Sequence, residues 1–248
     1  MLDFLKSPYP HSIEPHCPYY AFSEMVGGPN VKWCEQTVCG YFNEPNLTWT
    51  NLTYIFMAIF FIWHVRKIAR SEFTYFAWSI FFTGLFSFIY HATNNWISQY
   101  GDFFGMYLML SAIIGLNLSR ASIITTKLTM ASFYFIFVLA FTVLFFISPS
   151  INFPVQFIVV IGVIIILITE FLATKKSSEP ISHVNFVTSL FFFIVAITFS
   201  ILDHKRILCS PDNHWFQGHG MWHMVATVAF IFTYRHYLAI DQKYFSLK

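Results

Sequence analysis

Long apolar stretches free of charge, each close to the roughly 20 residues that cross a bilayer, follow one another along most of this chain and constrain its fold more than any other feature. Seven can be read, over residues 47–65, 73–92, 103–118, 128–147, 155–173, 184–202 and 219–238. Only 10% of the 248 residues are charged and 56% are hydrophobic, whereas a soluble domain carries about a quarter charged residues. In hydrocarbon a single segment satisfies its backbone only as a helix. The expected fold is therefore all-α, a bundle of seven transmembrane helices over 47–238, with an extracytoplasmic segment over 1–46 and a cytosolic tail over 239–248.

The first 46 residues are polar, aromatic and rich in proline, and they lack the basic stretch and apolar core of a cleavable signal peptide. Ten of the fourteen Lys and Arg fall on one side of the spans: Arg66, Lys67, Arg70, Arg120, Lys127, Lys175, Lys176, Arg235, Lys243 and Lys248. Lys6, Lys32, Lys205 and Arg206 fall on the other. The positive-inside rule then makes the C-terminus cytosolic and the N-terminus extracytoplasmic or lumenal. A net charge of +2 gives no reason to expect nucleic acid, and no protein partner is implied.

Cys17, Cys34, Cys39 and Cys209 all fall on the extracytoplasmic side, where disulfides persist. Four cysteines allow three full pairings, and the sequence does not choose among them. A bridge from the N-terminal segment to Cys209 would pin that segment over the bundle.

Ionisable groups within a span are costly and mark functional sites. Ser87 and His91 share one face of the second span, one turn apart. Asp102 opens the third span, Asp203 ends the sixth, and His219 and His223 begin the seventh. All lie at one depth. The spacing of His219 and His223 stacks two imidazoles on one helical face, and His91 completes the three ligands that a catalytic zinc needs while leaving one position open. Asp102 is the candidate general base and acid, with ligation or support of an imidazole N–H as its alternatives. Ser87 is the candidate donor to an oxyanion, or a packing residue. Asp203 either orients a histidine or caps a loop. Glu170, Arg235 and His236, at the opposite end, read as ordinary interface residues.

These residues resemble the CREST superfamily of seven-helix membrane hydrolases and receptors, and within it the alkaline ceramidases, including bacterial ceramidase-like members. The likeness rests on Trp33-Cys34-Glu35, Glu44-Pro45-Asn46, Thr50-Asn51-Leu52, the run from Ser87 to His91-Ala92-Thr93, Asp102, and the run from Gly218-His219 to Trp222-His223. It implies a zinc-dependent amidase that cuts the N-acyl bond of ceramide, a lipid substrate drawn from the bilayer. His91, His219 and His223 would hold zinc, assisted by Ser87 and Asp102. The resemblance also implies a calcium site before the first span, for which Trp33, Glu35 and Glu44 are the matching residues. Lys32 stands where that pattern has an acid; a lysine cannot ligate calcium and its charge opposes one. Without calcium, Glu35 and Glu44 would pair with Lys32 or cap a short helix.

Other classes share parts of this pattern. Receptors of the progestin and adipoQ type share the zinc residues but are expected in the opposite orientation. GPI-lipid remodelling hydrolases carry a longer cysteine-rich preamble. A proton-coupled transporter would show broken helices or inverted repeats, and none stands out.

Overall fold

A computed structural model of the chain describes residues 6–151, 153–154, 156–177, 180–240 and 245. The described residues form helices and no strands. In order these are α1 (Tyr20–Val26), α2 (Pro45–Thr50), α3 (Leu52–Lys67), α4 (Thr74–Thr93), α5 (Trp96–Arg120), α6 (Lys127–Ile147), α7 (Gln156–Lys176), α8 (Val184–His204) and α9 (Gly218–Leu238). Val155, which opens the fifth expected span, and Lys243 and Lys248 of the expected tail lie outside the described residues.

Among the described residues, six helical stretches are long and apolar enough to cross a membrane: Pro45–Lys67, Ser71–Thr93, Trp96–Arg120, Lys127–Ile147, Gln156–Lys176 and Val184–His204. The seventh expected span, α9, has 21 residues, as many as α8, but its two histidines, two N-terminal glycines and Arg235-His236 dilute its apolar character. It packs along α8, with Ser189 bonding the Ala229 carbonyl and Asp203 meeting the start of α9.

Helix ends follow from local chemistry. Asn95 starts α5 with a reciprocal cap, its side chain accepting from the Ser98 N–H while Ser98 reaches back. Asn94, at φ 45°, ends α4 in the left-handed region that asparagine tolerates. Helix α5 thus begins at Trp96 rather than near Phe103, which buries Asp102 nearly two turns inside. The polar run Ser98-Gln99-Tyr100-Gly101 masks that start in the sequence.

Helix α5 is central, with 67% of its most apolar window buried, against 17% for α6 and 11% for α8, which present their side chains outward. Close approach sets the register: a Cβ on Gly105 would come within 2.7 Å of the Thr83 Cα, so α4 and α5 touch backbone to backbone. The N-terminal segment lies over one end of the bundle. It is tied there by a disulfide from Cys34 to Cys209 in the α8–α9 loop, while Cys17 pairs with Cys39 within the segment.

Candidate metal centre

Two helix ends converge beneath that segment. The last turn of α4 carries His91, and the first two turns of α9 carry His219 and His223. All three are buried, at 0%, 5% and 2% exposure. One ring nitrogen from each lies within 4.8 Å of the other two, with ring centroids 5.3, 5.3 and 4.7 Å apart. Gly220 lets α9 approach, since a Cβ there would collide with the Asn46 side-chain oxygen of α2.

Each imidazole is held from behind through Nδ1. His91 Nδ1 meets Glu44 Oε2 at 2.6 Å, His223 Nδ1 meets Thr50 Oγ1 at 2.8 Å, and His219 Nδ1 meets Ser200 Oγ at 3.1 Å. The Thr50 hydroxyl donates its single proton to the Asn46 carbonyl at 2.9 Å, so its oxygen accepts from His223 Nδ1–H. That tautomer leaves Nε2 with its lone pair. His91 Nε2 is buried and has no hydrogen-bond partner. A buried, unpartnered nitrogen facing two more imidazoles, each with its other nitrogen engaged, fits a metal ion.

Further contacts fix the histidines. The Trp33 indole stacks on His219, centroids 3.4 Å apart and planes 13° from parallel. Asp203, fully buried, accepts from the His219 backbone N–H at 3.0 Å and from Cys34 N–H at 2.8 Å. It therefore caps the start of α9 and ties it to the N-terminal segment, acting on the His219 backbone and not on an imidazole. Burial, and after it the charges of Glu35 and Asp203, pushes the Glu44 carboxyl well above the usual carboxylate range. A dication beyond His91 would offset that cost.

Ser87, one turn before His91, and Asp102 face each other across α4 and α5. Glu35 is not part of the histidine cluster. Its two oxygens accept from the backbone N–H of Asn46 and Leu47 at 2.9 and 3.0 Å, capping α2, and Oε1 also meets His214 Nδ1 at 2.9 Å. Thr50 and Ser200, which support two of the imidazoles, were not singled out as site residues from sequence. Thr50 lies in a motif that carried the family resemblance, whereas Ser200 gave no signal.

The opposite end corrects the reading of Glu170 and His236 as interface residues. Glu170 is 3% exposed in the interior, bonded to Arg120 Nη1 at 2.5 Å and to His236 Nε2 at 3.1 Å. Asn117 joins them, accepting from Arg120 and from the Tyr237 hydroxyl. A carboxylate at that depth needs a cationic partner, which α5 supplies in Arg120, while His236 of α9 adds a hydrogen bond.

Fold and centre together define a helical membrane protein with a buried three-histidine site at one end of its bundle. The chain belongs to the ceramidase family, whose profile matches residues 28–246 and so spans every residue of the site. It is similar to alkaline ceramidase 1 of Homo sapiens, 24% identical over 229 residues that cover 86% of this chain and 83% of that protein. It is also similar to alkaline ceramidase 1 of Mus musculus, 25% identical over 232 residues, covering 86% and 81%.

Proposed function

We propose that the chain is a zinc-dependent amidase that hydrolyses the N-acyl bond of ceramide, giving a sphingoid base and a fatty acid. The convergence of three imidazoles, with Nδ1 engaged on each and His91 Nε2 unpartnered, carries this reading within the ceramidase family. Three neutral nitrogens with no charged ligand favour zinc. A zinc ion held by His91, His219 and His223 would supply Lewis acidity and bring the pKa of water to about 7.

The chain's own residues do the rest. Asp102, buried in α5, takes the proton of the attacking water and returns it to the amide nitrogen as the C–N bond breaks and the C–O bond forms. Ser87, facing Asp102 from α4, offers its hydroxyl to the carbonyl oxygen of the substrate. Glu44, Thr50 and Ser200 hold the three imidazoles in the orientation that points Nε2 inward.

A two-chain lipid reaches this site from the side. Helix α7 packs on α5, and α8 packs on α9, and the two pairs are bonded to each other at the end away from the histidines, by His236 to Glu170 and Tyr237 to Asn117. In this reading α9 is the seventh span, the histidine end faces outside or the lumen, and the Glu170 end faces the cytosol. The lead experiment is elemental analysis of purified protein beside fatty-acid release from ceramides in mixed micelles. One zinc per chain with cleavage is the expected result; carefully prepared protein with no zinc overturns the reading.

A further inference from the structure

A cavity of about 260 Å³ lies in the N-terminal segment above the metal centre, lined among others by Lys32, Trp33, Glu35, Thr37, Glu44 and Arg206. The family resemblance would place calcium among these groups. Calcium takes six to eight oxygens, with carboxylates foremost. Here every carboxylate oxygen in the cavity wall already meets a nitrogen. Glu35 Oε1 accepts from Asn46 N–H and meets His214 Nδ1, and Oε2 accepts from Leu47 N–H. Glu44 Oε2 meets His91 Nδ1, and Oε1 accepts from Asn94 Nδ2 at 3.1 Å. The Thr37 hydroxyl accepts from the same Asn94 amide at 3.0 Å, and the Cys34 carbonyl accepts from Arg206 Nη1 at 2.9 Å. Lys32 and Arg206 add two positive charges to the same wall. Both cations oppose a dication there, and the oxygens that would have to hold it are already engaged.

Direct contacts already perform the task that a bridging ion would have. The Cys34–Cys209 disulfide anchors the segment to the α8–α9 loop, and Asp203 grips Cys34 and His219 with its two oxygens. Trp33 rests on His219, and Glu44 backs His91. We infer that this chain couples its N-terminal segment to the metal centre without calcium, through the Cys34–Cys209 disulfide and Asp203. The inference rests on the proposed function only in locating the zinc centre, and its test needs no turnover.

Zinc-loaded, detergent-purified full-length protein is dialysed to equilibrium against radioactive calcium at about 1 mM, the weak limit for calcium modules outside cells. Binding far below one equivalent, with a thermal midpoint unmoved by calcium, is expected. One equivalent bound, or a midpoint raised by calcium, overturns the inference. In parallel, the Cys34→Ser/Cys209→Ser variant and Asp203→Asn are followed for zinc loss to a chelator. The rate should rise about tenfold in each, as loss of support around metal ligands does, and added calcium should leave it raised. Unchanged rates in both variants, or rescue by calcium, would show that another element makes the coupling. Failure of ceramide cleavage would leave these readouts intact.

Discussion

The two ends of the bundle bury polar groups in opposite arrangements. At the Glu170 end a carboxylate sits at the centre and the groups around it are donors: Arg120, His236 and the Thr174 hydroxyl. At the histidine end the imidazoles sit at the centre and the acceptors stand behind them, Glu44 on His91 and Thr50 on His223. The first arrangement sets the charge of Glu170 against that of Arg120, with Arg120 Nη2 and His236 Nδ1 left without hydrogen-bond partners. The second turns lone pairs toward one another and is complete only with a cation between them. Equal burial thus serves two purposes, charge compensation at one end and readiness for a ligand at the other.

The sharpest way to break this contrast is to remove one group from each centre. His223→Ala should abolish both zinc content and hydrolysis, since two remaining ligands hold zinc poorly, while the fold stays intact by circular dichroism. A full equivalent of zinc in that variant would refute the site as drawn. Glu170→Ala should do the reverse. Removing the central acid leaves Arg120 buried without its counter-charge, at a cost of about 3–5 kcal/mol in stability, with zinc stoichiometry retained in the folded fraction. Comparable loss of zinc in both variants would mean that the two ends form one cooperative site.

Asp102→Asn separates holding the metal from using it. The amide keeps the size of the carboxyl but cannot shuttle a proton, so turnover should fall about 10²–10⁴-fold at unchanged zinc content. Loss of zinc instead would make Asp102 a ligand. Glu44→Gln probes the support behind His91 and should weaken zinc affinity about 10–100-fold, measured by competition with a chelator. An unchanged affinity would show that the contact at 2.6 Å orients nothing.

Much of the histidine end was legible because helix geometry is periodic. The i, i+4 spacing of His219 and His223 places both imidazoles on one face whatever surrounds them, and the depth of His91 follows from counting residues along α4. The Glu170 end was not legible. A charge near a helix end reads alike whether it turns to headgroups or inward, and Arg120, its partner, lies 50 residues away and in the sequence marks only the side of the membrane. The disulfide pairing was hidden for a similar reason: Cys34 and Cys209 are 175 residues apart, and only the packing of the segment over the α8–α9 loop selects them. Asp203 had two readings, and tertiary contact decided for the cap, since the start of α9 and Cys34 both present an N–H to it.

The smallest effect is expected where the segment touches the centre through stacking alone. Trp33 lies flat on His219 at 3.4 Å, and aromatic contacts of this kind contribute about 0.5–1.5 kcal/mol beyond the area they bury. Trp33→Leu keeps an apolar cover while removing the stack, so zinc should dissociate roughly 2–10-fold faster, with the Asp203 cap keeping α9 in place. A far larger loss, matching that of His223→Ala, would mean that Trp33 and not Asp203 is what holds His219 in position. The N-terminal segment would then be a fourth wall of the metal centre.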